Sequence, residues 1–445
     1  MPTSPPARTL LLVALLTGAA AATGSPLRLD DIQEDGRALA AELGCGACHA
    51  GMPDPVTARG RAPAFGEGGA PLPGDFVFAY LADPQPRRTD IGRTRMPDFG
   101  LGEDERVALA RYLGSGDPGG DFAAAIARHP DASADIGSRI FGVLGCAGCH
   151  DHDGRDADPV GPDLSTEGTR ARRDWLRVFL ASPTPVRGDG HPARPGARMP
   201  DFRLDDEEAQ ALETFLTAQG SPATWIPEPL TAFQMQRTER LVKDRLACLG
   251  CHTVDGEGGT IGPSLDGIAD RLNPSFVLAM VSDPQGTVPG SGMPRQHLEA
   301  RDARRVAAYL LQRGGAWTGR DYGSLADSTH PARFFAPAEG APEGEALYLR
   351  HCAACHGVTG RSDGFNALNL PVLPTVHSSA ELMVRRPDDT LFDGIHAGAY
   401  VLDGSPRMPP FGEMLSAGQI RALVGYIREL CSCQGPDWSR DGETP

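Results

Sequence analysis

The chain is 445 residues long, 40% hydrophobic and 22% charged, which is a globular composition too long for a single hydrophobic core. Its formal net charge of −16 disfavours nucleic acid and anionic membrane surfaces as partners. Of its 42 basic residues only Lys243 is a lysine, so no lysine-rich docking face is available.

Taken in chain order, the first feature is an apolar run from Leu10 to Ala22 behind Arg8, followed by small residues. It reads as a signal peptide over residues 1–22, too short for the roughly 20 apolar residues that span a bilayer. An exported chain is expected, in the periplasm or an equivalent compartment, and an uncleaved anchor is the alternative. A helical stretch then runs from Gly36 to Leu43 and leads into Cys45-Gly-Ala-Cys48-His49. A Gly- and Pro-rich loop with Ala62-Pro63 follows, then a helix with the apolar stripe Phe76/Tyr80/Leu81, then Met96-Pro97, and a closing helix with Leu109/Tyr112/Leu113. Those stripes fall at helical spacing and are core positions.

This succession recurs. Second and third copies carry Cys146-Cys149-His150 and Cys248-Cys251-His252, the loops Gly161-Pro162-Asp163-Leu164 and Gly262-Pro263-Ser264-Leu265, and Met199-Pro200 and Met293-Pro294. A divergent fourth has Cys352-Cys355-His356 and Met408-Pro409. Successive motifs stand 101 to 104 residues apart, so the repeat predicts four small helical domains in an all-α chain. Their expected bounds are 28–114, 131–219, 230–314 and 341–432. The segments Gly114–Pro130, Gly220–Pro229 and Gly314–Pro342 read as linkers, and Phe334-Phe335 in the third is expected to dock on a neighbouring domain. Capping boxes are expected at Ser416/Gln419 and, more weakly, at Asp205/Glu208.

Cys-x-x-Cys-His is the c-type haem attachment signature. Two thiols add to the vinyl groups of one porphyrin, and the histidine on the same turn reaches the iron from one face. Four covalently bound haems are therefore expected, on Cys45 and Cys48, Cys146 and Cys149, Cys248 and Cys251, and Cys352 and Cys355. The axial histidines are His49, His150, His252 and His356. The Met-Pro methionines follow these histidines by 47, 49, 41 and 52 residues. A thioether is a soft neutral ligand that raises the potential of a low-spin haem, so Met96, Met199, Met293 and Met408 are the expected sixth ligands. His297 is a rival to Met293 and His191 a weaker rival to Met199. Arg95, Arg198 and Arg407, each just before a methionine, suit either a haem propionate or a solvated surface charge, as do Arg170 and Arg271.

Each unit, from its first helix through Cys-x-x-Cys-His to Met-Pro and the closing helix, resembles the class I cytochrome c domain. The resemblance covers nearly all of residues 28–432. The fourth unit, with His351-Cys-Ala-Ala-Cys-His-Gly357 and Arg407-Met-Pro-Pro-Phe411, is similar to the cytochrome domains of cbb3-type oxidase and dehydrogenase subunits. The resemblance implies an all-α fold around haem and one-electron transfer. It also implies that Pro63, Pro162 and Pro263 present carbonyls to the far nitrogen of the axial histidines.

The leading expectation is a one-electron relay, a carrier rather than an enzyme. Its partners would be redox proteins with basic docking surfaces, and association with a membrane oxidoreductase is open. A haem enzyme of peroxidase type, or an oxidoreductase subunit with one open iron, is the alternative. A zinc or thiol-redox reading of the Cys-x-x-Cys pairs leaves the Met-Pro repeat unexplained. Cys431 and Cys433 remain after eight cysteines are used, and an internal bridge is favoured over one to a partner chain.

Overall fold

The computed structural model describes residues 29–54, 62, 64–65, 72–85, 95–150, 161–186, 190–191, 194–195, 198–220, 224–315, 323–327, 330 and 340–439. Among them the chain is helical, with three ribbons of two short strands each. The first repeat contributes α1 (Leu29–Glu42), α2 (Gly74–Tyr80), α3 (Glu103–Leu113) and α4 (Gly120–Arg128). The second contributes α5 (Ala134–Val143), α6 (Arg173–Ala181) and α7 (Asp206–Thr217). From the third come α8 (Ala232–Asp244), α9 (Pro274–Ser282) and α10 (Ala300–Gln312), and from the fourth α11 (Glu343–His351), α12 (Asp388–Ala397) and α13 (Ala417–Cys431).

Local chemistry accounts for most boundaries. Ser416 accepts from the Gln419 amide while the Gln419 side chain accepts from the Ser416 amide, which satisfies two orphan donors at the start of α13. Asp205 and Glu208 do the same for α7, and Thr231 with Gln234 makes a third such box at α8. The expected linker Gly114–Pro130 is instead largely helix. In α4 the sequence Phe122-Ala-Ala-Ala-Ile126 puts Phe122 and Ala125 into the core against α2 and α3. Its apolar spacing of three and four residues was the available signal, obscured by the glycines on either side.

The main departure from the repeat lies in how the first two copies pack. The first helix of each does not lie on the closing helix of its own copy. Instead α1 packs along α7, and α5 packs along α3. Both crossings are close because a glycine stands at each. A Cβ on Gly36 would sit 2.0 Å from the Ala211 carbonyl oxygen, and one on Gly137 2.0 Å from that of Ala108. One core therefore joins Leu39 of α1 and Leu43 of the following turn to Leu176, Leu180, Leu212 and Phe215 from the second copy. The other joins Ile140, Phe141 and Leu144 of α5 and its turn to Val77, Phe78 and Leu109 from the first. In the fourth copy Gly344 of α11 meets Ala422 of its own α13, and in the third α8 contacts its own α10.

The packed units join along specific seams. Asp98 and Asp201, each two residues after its methionine, pair as an antiparallel bridge through reciprocal backbone hydrogen bonds of 2.8 and 2.7 Å. The second and third copies meet through Ala171 and Leu272, with the Asn273 amide side chain capping three carbonyls from 168 to 171. Between the third and fourth, the Asn366 side chain donates to the Gly250 carbonyl and accepts from the Thr260 amide. Residues 323–327 reach back to the first two copies, where Leu325 is buried in the core around α3. Phe334 and Phe335 lie outside the described residues. Cys431 and Cys433 form the internal bridge.

Candidate haem sites

Each Cys-x-x-Cys-His segment is a tight turn at the end of a first helix. In the first two copies the turn opens on Gly44 and Gly145 with φ of 75° and 70°, a left-handed conformation that favours glycine. The third and fourth copies enter the turn without it, from Ala247 and from the end of α11 itself. Burial raises the thiols: Cys45, Cys146, Cys251 and Cys352 to about 12, and Cys48 and Cys248 to about 11. Neighbouring thiols add to the effect, Cys149 acting on both Cys45 and Cys48, so the first two turns lie against each other.

Among the described residues, carbonyls fix His49, His252 and His356. His49 Nδ1 donates to the Pro162 oxygen at 2.9 Å, His252 Nδ1 to that of Pro263 at 2.7 Å, and His356 Nδ1 to that of Thr375 at 2.9 Å. A carbonyl only accepts, so the proton sits on Nδ1 and Nε2 keeps its lone pair for a metal. Burial also lowers the pKa of His49 and His356, which favours the neutral ring. Gly161 and Gly262 let the backbone close over these rings, since a Cβ there would lie 2.4 Å from the His49 ring and 2.5 Å from the His252 ring. The Pro162 contact differs from the repeat register: it serves the histidine of the first motif, not the second. Pro63 lies outside the described residues.

Opposite the second motif the structure brings in Met96. Its Sδ stands 3.4 Å from His150 Nε2. The two atoms face each other in a cavity of about 370 Å³, lined by Cys146 and Cys149 and by apolar side chains including Leu81, Leu109, Phe141 and Phe76. Phe65 lies against His150 with ring centres 4.9 Å apart and planes tilted by 34°, a contact with no sequence signal. Met199 packs into the core that holds Cys45, and Met408 into the one that holds Cys352. Met293 is half-buried, and its carbonyl accepts from Gln285 at 2.6 Å. Its rival His297 is exposed and turned towards Glu413 of the fourth copy. The side chain of His191 lies outside the described residues. In the fourth copy the buried His377 stacks on His356 at 4.0 Å and meets the Tyr348 hydroxyl at 3.1 Å. Sequence reasoning passed over it because nothing in the other copies matches it.

The arginines beside the methionines divide. Arg198 is buried and forms two hydrogen bonds with the buried Glu105, at 2.6 and 3.0 Å, and Arg95 pairs with Glu208. Neither is a solvated charge, and both close the seam between the first two copies. Arg407 differs: its Nη1 is buried with no hydrogen-bond partner among the described residues, and burial lowers its pKa. That orphaned donor suits a carboxylate such as a haem propionate. Arg170 pairs with Glu167, and Arg271 donates to the Ser264 carbonyl at 2.7 Å.

An apolar cavity with opposed nitrogen and sulfur donors beside two thiols fits a covalently held haem. Comparison with known families agrees. Residues 134–219 and 236–314 match the cytochrome c family, and residues 339–427 match cbb3-type cytochrome C oxidase subunit III. The chain is also similar to cytochrome c4 of Azotobacter vinelandii, with 28% identity over 118 residues, 26% of this chain. That match spans 56% of the relative's own length. Cytochrome c domains hold haem c covalently and carry out haem-based electron transfer. The all-α fold, the attachment turns and these matches together place the chain among the multi-domain class I cytochromes c.

Proposed function

We propose that the chain is an exported tetrahaem cytochrome that relays single electrons between redox proteins. The observation that carries this reading is the opposition of Met96 Sδ and His150 Nε2 beside Cys146 and Cys149. When bound, haem supplies a one-electron ferrous/ferric couple. The residues do the rest. Cys45, Cys48, Cys146, Cys149, Cys248, Cys251, Cys352 and Cys355 tether four porphyrins. His49, His150, His252 and His356 would hold the iron through nitrogen, oriented from behind by carbonyls where described. Met96, Met199, Met293 and Met408 would supply the thioether ligands that complete its coordination and keep water and small substrates off it.

Export rests on the apolar run before residue 23, since covalent haem attachment takes place outside the bacterial cytoplasm. No helix among the described residues is long and apolar enough to cross a membrane. The acidic surface suits partners with basic docking faces and makes encounter salt-dependent. Intact-mass measurement of the matured chain tests the cofactor count. Four haem increments on a chain shortened near residue 22 are expected; fewer than four, or none, would refute the tetrahaem reading.

A further inference from the structure

We infer that the first two haem sites are built by exchange: the haem on Cys146 and Cys149 takes His150 and Met96, and the haem on Cys45 and Cys48 takes His49 and Met199. This rests on the His/Met ligation proposed above and says which methionine serves which motif. Three independent contacts carry it. Met96 Sδ lies 3.4 Å from His150 Nε2, both lining a cavity to which Cys146 and Cys149 of that motif and Cys48 of the first contribute. His49 is held from behind by the Pro162 carbonyl, 113 residues away, with the Gly161 amide donating to the Cys48 carbonyl at 2.7 Å and the Leu164 amide to that of Ala50 at 3.0 Å. And α1 and α5 lie on each other's closing helices, with Met199 in the core of the first motif and Met96 in that of the second.

Sequence explains why these two copies can exchange. Gly36 and Gly137 make the same close crossing over Ala211 and Ala108, with the Cβ of Phe215 and of Tyr112 each 2.8 Å away. Gly44 and Gly145 give both turns the same left-handed entry. Each half of one copy therefore fits the other half of its neighbour, and the exchange trades like contacts for like. The third copy has the buried Thr238 in place of the helix glycine and the fourth a different turn entry, so neither shares that equivalence. Segment 168–173, which abuts the third copy, therefore belongs to the globule that holds the first attachment turn.

The test uses the full chain in two backgrounds, Cys45→Ser/Cys48→Ser and Cys146→Ser/Cys149→Ser, each left with three haems. With the first haem absent, Met96→Ala should raise carbon monoxide binding by the reduced protein from none to one per chain, and Met199→Ala should leave it at none. With the second haem absent the pattern should reverse. The opposite assignment in either background would overturn the exchange and keep methionine ligation; no opening by either substitution would overturn both. A photo-crosslinking phenylalanine at Tyr112, in the chain with all four haems, gives a second measurement that removes no cofactor. Capture of the peptide 134–143, where Phe141 lies 5.9 Å from the Tyr112 ring, is expected, and capture of 29–42 would overturn the proposal.

Discussion

At the residue scale, what decides each site is which atom of a side chain is left free. The carbonyls of Pro162, Pro263 and Thr375 hold Nδ1 and so leave Nε2 of His49, His252 and His356 for iron. A methionine then has one task, to fill the opposite face. In the otherwise native chain Met408→Ala is expected to leave one reduced haem in four able to bind carbon monoxide, with the other three spectrally unchanged. Asp266 illustrates a charge that fastens a site. Burial works against its ionisation, but the hydrogen bond from Arg313 and the Asp255 amide outweigh it and hold its carboxyl below the usual range. Asp266 stands three residues after Pro263, and Arg313 closes α10, so this pair ties the loop behind His252 to the last helix. A depressed native pKa gives stability that is present above the unfolded value of about 3.9 and is lost as pH falls through the native one. Asp266→Asn should therefore flatten the acid limb of the third unit below about pH 4, read from its haem absorbance during acid titration.

At the element scale, the sequence repeat gave away nearly every helix, because apolar stripes and capping residues are local signals. The stripes Leu212/Phe215/Leu216 and Leu423/Tyr426/Ile427 fall on α7 and α13 as their spacing requires, and the helices start at the capping residues Asp205 and Ser416. What the stripes do not carry is which helix each one meets. Two copies with a glycine and an aromatic at the same positions offer interchangeable surfaces, so self-similarity, which revealed the units, also concealed the exchange. The missed helix α4 shows the converse, a true local signal hidden between Gly119 and Pro130. The crossings themselves are testable. Gly36→Ala places a methyl against the Ala211 carbonyl, and overpacking of this kind costs roughly 1–3 kcal/mol. Denaturant titration followed at haem absorbance should show the first two units unfolding earlier while the fourth is unmoved. A change confined to the fourth unit would contradict the crossing.

For the whole molecule, the seams are as specific as the cores. Glu105 gathers Arg198, the Leu325 amide and the Gly102 amide onto one buried carboxylate, joining both of the first copies to the segment after the third. Removing one partner of such a pair strands a buried charge and costs about 3–5 kcal/mol. Glu105→Ala is expected to loosen the first two units at a lower denaturant concentration. Glu381→Ala, at an exposed pair with Arg385, should change almost nothing. None of this joinery was legible in the sequence, because Arg198 before Met199 suited either a propionate or a solvated charge and its partner is 93 residues away. The buried Nη1 of Arg407, with no hydrogen-bond partner among the described residues, keeps that role open in the fourth unit.

The proposed relay requires four complete haem sites that pass electrons and bind nothing else. The most direct test is a reductive titration of the purified chain, followed by visible spectra under carbon monoxide and under argon. Four electrons per chain, taken up by low-spin haems with spectra that carbon monoxide leaves unaltered, is the predicted result. Uptake of fewer than four, or stoichiometric carbon monoxide binding at any one haem, would contradict it.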